Sequence, residues 1–241
     1  MDGRTYIATK VLKMKILDAH THIDYITHEH QTNVVGCICC ATAEDDWQKI
    51  INLMTRDNGV YGAFGVHPWF INSFNNGLIK RLSDLLETDA NYMVGEIGLD
   101  KYKPDMEKQI DVFMAQFDVA IKLKRSVFLH CVGAWDKFFH VLKQYKESDL
   151  PTIVIHGFNS NENILTRLLQ YKNIYFSLSK NYVYGRNNRI EQIPSNRILV
   201  ETDGKKEVVL SNLIDKISDI KNEFYICDII YNNTQKVLKN G

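Results

Sequence analysis

Eight short apolar runs separated by amphipathic stretches are the feature that most restricts how this chain can fold. The runs are Ile16–Ala19, Val34–Cys40, Val60–Val66, Tyr92–Ile97, Ser126–His130, Thr152–His156, Asn173–Leu178 and Arg197–Glu201. Most are apolar throughout rather than alternating, as parallel strands covered on both faces require. Between them, apolar residues recur at helical spacing: Trp47, Ile50, Ile51 and Met54; Leu78, Ile79, Leu82, Leu85 and Leu86; Met106, Ile110, Phe113, Phe117 and Ile121. The same period continues in Trp135, Phe138, Phe139, Leu142 and Tyr145, in Ile164, Leu165, Leu168 and Leu169, and after the last run in Phe224, Cys227, Ile230, Tyr231 and Thr234. These are helix faces that pack on a sheet. The links after the first and seventh runs are less clearly helical. Alternation through eight strands predicts an α/β fold that closes as a (β/α)₈ TIM barrel.

The length of 241 residues suits one such domain. No repeat, low-complexity tract or linker interrupts it. Residues 14–241 are read as the barrel, and residues 1–13 as an N-terminal extension without an assigned role. Lys plus Arg and Asp plus Glu each number 29, so the chain has no formal net charge. That excludes a protein-wide nucleic-acid-coating surface but leaves room for a basic patch in a cleft. The five cysteines, Cys37, Cys39, Cys40, Cys131 and Cys227, form no disulfide framework. They read as small apolar residues of buried strands. No secretory signal is apparent, and no apolar run approaches the ~18 residues of a membrane span. The expectation is a cytoplasmic protein with no membrane association and no obligate protein partner.

In a barrel of this kind, chemistry sits at the C-terminal ends of the strands. Ionisable residues gather there. The first strand runs into His20 and His22, the third into His67, the fourth into Glu96, the fifth into His130, the sixth into His156 and the eighth into Asp203. His20 and His22 are two residues apart on an extended chain, so both imidazoles face the same side. Closing the barrel brings four histidines and two acids to one rim. That is the ligand type and number for two ions sharing a carboxylate. The predicted division is His20, His22 and Asp203 on one ion, His130 and His156 on the other, and Glu96 bridging. Such a pair supports hydrolysis by a metal-activated water, with Asp203 placed to accept its proton. His67 reads as a substrate-facing or supporting group rather than a ligand, and His28 and His30 as solvated loop histidines.

These strings resemble the TatD-like metal-dependent deoxyribonucleases of the amidohydrolase superfamily. Asp18-Ala19-His20-Thr21-His22 with Asp24 resembles that family's opening D-x-H-x-H-x-D, Gly65-Val66-His67-Pro68 its G-x-H-P, and Gly95-Glu96-Ile97-Gly98-Leu99-Asp100 its G-E-I-G-L-D. Gln109, Phe113 and Gln116 fit the helix that follows. His130, His156-Gly157-Phe158, Glu201-Thr202-Asp203 and Asn232-Asn233-Thr234 fall in the family's order, so the similarity runs from about Lys15 to Leu238. The resemblance implies a TIM barrel with two divalent ions per chain (Zn, Mn or Mg) held by His20, His22, Glu96, His130, His156 and Asp203. It implies Glu96 and Asp203 as catalytic, His67 near the scissile phosphate, and phosphodiester hydrolysis, above all 3′-to-5′ exonuclease action on DNA ends.

Three departures from the family pattern bear on substrate. Cys131-Val132-Gly133 stands where the family has a polar stretch containing Arg, Gly204-Lys205-Lys206 where it has a small residue and then Pro, and the segment after the seventh strand is Asn181-Tyr182-Val183-Tyr184-Gly185-Arg186, with a compact final region. Lys180, Arg186, Lys205 and Lys206 are candidate replacement cations, and Trp69, Phe70, Tyr182 and Tyr184 candidate stacking surfaces for unpaired bases. The alternatives are a two-metal hydrolase of a small phosphoester, amide or lactone, and a non-catalytic metal-binding barrel.

Overall fold

The computed structural model describes residues 14–186 and 188–239, so the predicted extension, residues 1–13, lies outside the described residues. Eight strands form one sheet in chain order. They are β1 (Ile16–Thr21), β2 (Val34–Cys40), β3 (Val60–Phe64), β4 (Met93–Asp100), β5 (Val127–Val132), β6 (Ile153–Ile155), β7 (Ile174–Leu178) and β8 (Ile198–Val200). Every neighbouring pair from β1–β2 to β7–β8 is parallel.

Leu17, Ala19, Ile38, Cys40, Ala63, Met93, Phe128, Val154 and Leu199 form a single buried cluster with Val237 and Leu238, and Tyr175 packs on it. All eight strands contribute, which is possible only inside a ring. This is the barrel interior. The larger cluster joins the other faces of the strands to the helices. Each fully buried large side chain, such as Phe117 or Phe128, contributes about 1.5–3 kcal/mol through burial. Cys37, Cys39, Cys40 and Cys227 are buried, and all five cysteines are unbridged. Burial raises the thiols of Cys37 and Cys40 well above their ordinary range.

The outer layer is α1 (Glu44–Arg56), α2 (Asn76–Thr88), α3 (Met106–Leu123), α4 (Trp135–Leu142), α5 (Glu162–Leu169), the single turn α6 (Lys180–Val183), α7 (Leu210–Lys221) and α8 (Ile226–Lys239). Side-chain caps open two of them: Asn75 accepts the Leu78 N–H at 3.0 Å and Asn161 the Ile164 N–H at 3.1 Å. Between β1 and β2 the described chain makes only a 3₁₀ turn, Thr27–Glu29. α7 is a helix beyond those expected from the sequence, although Leu213, Ile214 and Ile217 bury its inner face at helical spacing. The sequence pattern puts Phe224 on the last helical stripe; Phe224 precedes α8 and is 84% exposed. Among the described residues no helix is long and apolar enough to cross a membrane.

Side chains help to close the ring between β8 and β1. Fully buried Asp18 accepts the Thr202 backbone N–H at 3.0 Å and the Thr202 hydroxyl at 2.6 Å, and it also accepts the Thr27 hydroxyl. One residue on, the Asp203 N–H donates to the His20 carbonyl at 3.0 Å. This seam sets Asp203 beside the end of β1.

Candidate metal centre

Glu96 is the hub of the cluster at the strand ends. Its Oε2 lies 3.5 Å from His20 Nε2 and 3.6 Å from His22 Nε2. Its Oε1 lies 3.0 Å from His130 Nδ1, 3.0 Å from His156 Nε2 and 3.1 Å from His67 Nε2. The two oxygens therefore face two different sets of nitrogens. Asp203 completes the first set, with Oδ1 3.9 Å from His20 Nε2 and 3.6 Å from His22 Nε2. Three trios have ligand atoms within 4.8 Å of one another: His20, His22 and Asp203; His20, Glu96 and His156; His67, Glu96 and His130.

Backbone geometry makes this gathering possible. Gly98 has φ +149°, and a Cβ there would overlap the His130 carbonyl oxygen. The second glycine of Gly95-Glu96-Ile97-Gly98 thus permits the close β4–β5 approach that sets His130 against Glu96. Asp203 itself sits at φ 55°, a left-handed conformation uncommon for a residue with a side chain, followed by Gly204 at φ 68°.

Ring-nitrogen roles separate ligands from donors. His22 Nδ1 lies 3.1 Å from the Cys40 carbonyl, which can only accept, so Nδ1 carries a proton and Nε2 is the nitrogen turned toward Glu96 and Asp203. His130 turns Nε2 toward Asp100 at 3.6 Å, and His156 turns Nδ1 toward Glu201 at 3.4 Å. A carboxylate behind the far nitrogen is the usual support of a metal-binding histidine. Glu201 also accepts the Gly157 N–H at 2.7 Å, and Asp100 the Trp69 indole N–H at 2.7 Å. The sequence reading gave neither acid a role; Asp100 and Glu201 lie in the very motifs quoted for the metal residues.

Burial opposes ionisation of Glu96, but His156, His20 and the hydrogen bonds of His130 and His156 outweigh it and hold the carboxyl well below its usual range. Burial likewise opposes protonation of His156, and Glu96 with Glu201 raises it well above the histidine value. Burial, reinforced by His156, keeps His20 neutral. Both His20 nitrogens, His130 Nε2, His156 Nδ1 and Glu201 Oε2 are buried without a hydrogen-bond partner. His20 Nε2, the orphaned nitrogen that faces the ionised Glu96 at 3.5 Å, fits a cation in the cluster, since buried polar atoms are otherwise paired.

Other predicted residues lie elsewhere. His28 is not simply solvated: its Nε2 meets Asp57 Oδ2 at 2.6 Å, and His30 stacks on Tyr25. Asp24 is exposed and belongs to none of the three trios. Tyr182 is 3% exposed and its hydroxyl accepts the Arg189 N–H, so it offers no stacking face. Trp69 at 53%, Phe70 and Tyr184 are exposed, and Lys103 covers the Trp69 ring at 4.1 Å. Lys205 is not a free cation: its Nζ contacts Asp203 Oδ2 at 2.5 Å. Lys180, Arg186 and Lys206 are exposed.

The profile of the TatD related DNase family matches residues 17–239. The metal-dependent hydrolase BU355 of Buchnera aphidicola is 27% identical over 218 residues, covering 79% of this chain and 81% of its own. The protein named 3′-5′ ssDNA/RNA exonuclease TatD of Pectobacterium atrosepticum is 28% identical over 179 residues, covering 70% of this chain and 68% of its own. The crystal structure of YjjV, a TatD homologue from Escherichia coli, superposes with a TM-score of 0.81 at 24% identity, covering 92% of this chain and 97% of that one, which speaks to the fold. An eight-stranded barrel with acids and histidines gathered at its strand ends, matched along nearly its whole length by one profile, belongs to the TatD related DNase family of metal-dependent hydrolases.

Proposed function

We propose that this chain is a two-metal phosphodiesterase that trims nucleic-acid ends, acting as a 3′-to-5′ exonuclease on single-stranded DNA. The observation that carries the reading is the division of Glu96, with Oε2 toward His20 and His22 and Oε1 toward His130 and His156. His20, His22 and Asp203 would hold one ion and His130 and His156 a second, with Glu96 within reach of both. Histidine-rich ligation suits Zn or Mn, whereas Mg prefers oxygen. When bound, such a pair lowers the pKa of water and neutralises charge on a phosphoryl group.

The chain's own groups do the rest. Asp203 is held ionised: burial opposes this, but the hydrogen bond from His22, the charge of His156 and the contact from Lys205 outweigh it. It is the group to accept a proton from attacking water. His67 Nε2 faces the cluster and would donate to a phosphoryl oxygen. The Pectobacterium relative, a 3′-5′ ssDNA/RNA exonuclease by name, supports a single-stranded substrate and 3′-to-5′ direction.

The test uses metal-stripped protein given Mg²⁺, Mn²⁺ or Zn²⁺, with 3′-labelled and 5′-labelled single-stranded DNA and RNA. Glu96→Ala is the control. Metal-dependent trimming from the 3′ end, absent in the variant, is expected. No trimming with any metal, in protein that binds two ions, would favour a small phosphoester, amide or lactone instead.

A further inference from the structure

Two depressions adjoin one another on the catalytic end of the barrel, sharing Ser160 and Asn161. One, of about 660 Å³, includes Arg186; the other, of about 470 Å³, includes Lys101 and Lys137. Their walls are the segments that leave β4, β5, β6 and β7. Lys101 directly follows Asp100, Gly133 comes soon after His130, and Asn159 soon after His156. The same strand ends that supply the metal centre thus continue into these walls.

Cations outnumber acids in the walls, Lys101, Lys137, Arg186 and Arg189 against Asp136 and Glu162, in a chain whose total charge is zero. Lys101, Lys137 and Arg186 are exposed and make no ion pair among the described residues. The acids of the same walls are engaged: Asp136 holds Arg167 at 2.9 Å, and Glu162 lies 3.8 Å from Arg189. Unpaired cations spread along two joined depressions suit a chain of phosphates rather than a single anion. Met106 and Ile164, both partly buried in the second depression, offer apolar surface to a base.

We infer that the two depressions form one groove that holds the retained part of a single-stranded nucleic acid, with Lys101, Lys137 and Arg186 as its phosphate contacts. This rests on the nuclease reading above. An enzyme that removes nucleotides from an end must hold the strand it does not release. The groove gives that strand a track leading from the metal centre, independent of the groups that carry out hydrolysis.

The test uses the metal-loaded protein and a fluorescent phosphorothioate oligonucleotide of about 12 nucleotides, within the usual site size for single strands. Affinity is measured against salt for the wild type, for Lys101→Ala, Lys137→Ala and Arg186→Ala singly and combined, and for Lys239→Ala. Lys239 borders a separate depression at the opposite end of the barrel, with Lys124 and Pro151. Each groove variant should reduce the slope of log affinity against log salt by about 0.7, and the triple variant by about 2. Lys239→Ala should leave it unchanged. The triple variant should also lose oligonucleotide trimming while hydrolysing bis(p-nitrophenyl) phosphate, too short to reach the groove, at the wild-type rate. A triple variant that binds and trims like the wild type overturns the groove and leaves the nuclease reading intact. A wild type that hydrolyses the small diester yet neither binds nor trims the oligonucleotide overturns both.

Discussion

The Trp69 backbone N–H donates to His67 Nδ1 at 3.1 Å, and this one bond fixes what the other nitrogen of His67 can do. Burial lowers the pKa of His67, aided by His130 and His156 and only partly offset by Glu96, so the ring is neutral. Its single proton then sits on Nε2, 3.1 Å from Glu96 Oε1. A protonated nitrogen cannot ligate a metal but can donate to an oxygen. His67 therefore differs from His22, whose Nδ1 proton is directed at the Cys40 carbonyl and not at the cluster.

His67→Ala should keep the full metal content and lose about 10²–10³-fold in kcat, the usual cost of removing one donor to developing negative charge. Elemental analysis and single-turnover kinetics on the same preparation check this. Loss of one bound ion would instead make His67 a ligand.

Gly98→Ala should cripple the protein through its backbone. A Cβ at Gly98 would overlap the His130 carbonyl, and φ +149° is a conformation L side chains rarely adopt. We expect a loss of about 1–3 kcal/mol or more from the strained conformation alone, with reduced metal binding as His130 moves from Glu96. Thermal melting and metal titration would show it, and a wild-type melting temperature would refute it.

Asp18→Ala removes the seam between β8 and β1. The buried Thr202 N–H, which donates to Asp18 at 3.0 Å, is left unsatisfied, at a cost of about 1–3 kcal/mol. For a domain of this size each kcal/mol lowers the melting temperature by about 2–4 °C. Because Asp203 follows Thr202 directly, activity should fall even at temperatures where the variant is folded. Asp18→Asn, which keeps an acceptor, should recover part of both.

His28→Ala should leave metal content and activity unchanged. Its partner is Asp57 at 2.6 Å, away from Glu96, and both side chains are partly exposed. Such a pair contributes up to about 1 kcal/mol. If calorimetry and kinetics found His28→Ala as damaging as Glu96→Ala, the extent of the centre would have to be redrawn.

Much of this protein is legible in its sequence because two periodicities are strong. Near-continuous apolar runs such as Val34–Cys40 and helical stripes such as Phe113 and Phe117 specify strands and helices locally, and eight alternations leave little choice but a barrel. The candidate ligands are legible in combination: one histidine or acid ending a buried strand has an ordinary structural explanation, but four histidines and two acids at five strand ends of one barrel point to a shared site. The segment after β7 was less legible because it is polar and forms only one short helical turn, Lys180–Val183. The helix Leu210–Lys221 could have been found, since Leu213, Ile214 and Ile217 carry the required spacing.

Other properties exist only once the chain has closed. Sequence determined which residue types reach the rim, because strand length and polarity are local. It could not determine that Glu96 turns one oxygen to each histidine pair, that Asp100 and Glu201 stand behind His130 and His156, or that Lys205 is tied to Asp203. The first two relations join side chains 30 to 76 residues apart across the barrel, and the third joins neighbours two residues apart whose contact depends on the turn that ends β8. Hydrogen-bond direction, burial and charge then assign each nitrogen its role, and all three depend on neighbours that only the tertiary structure supplies.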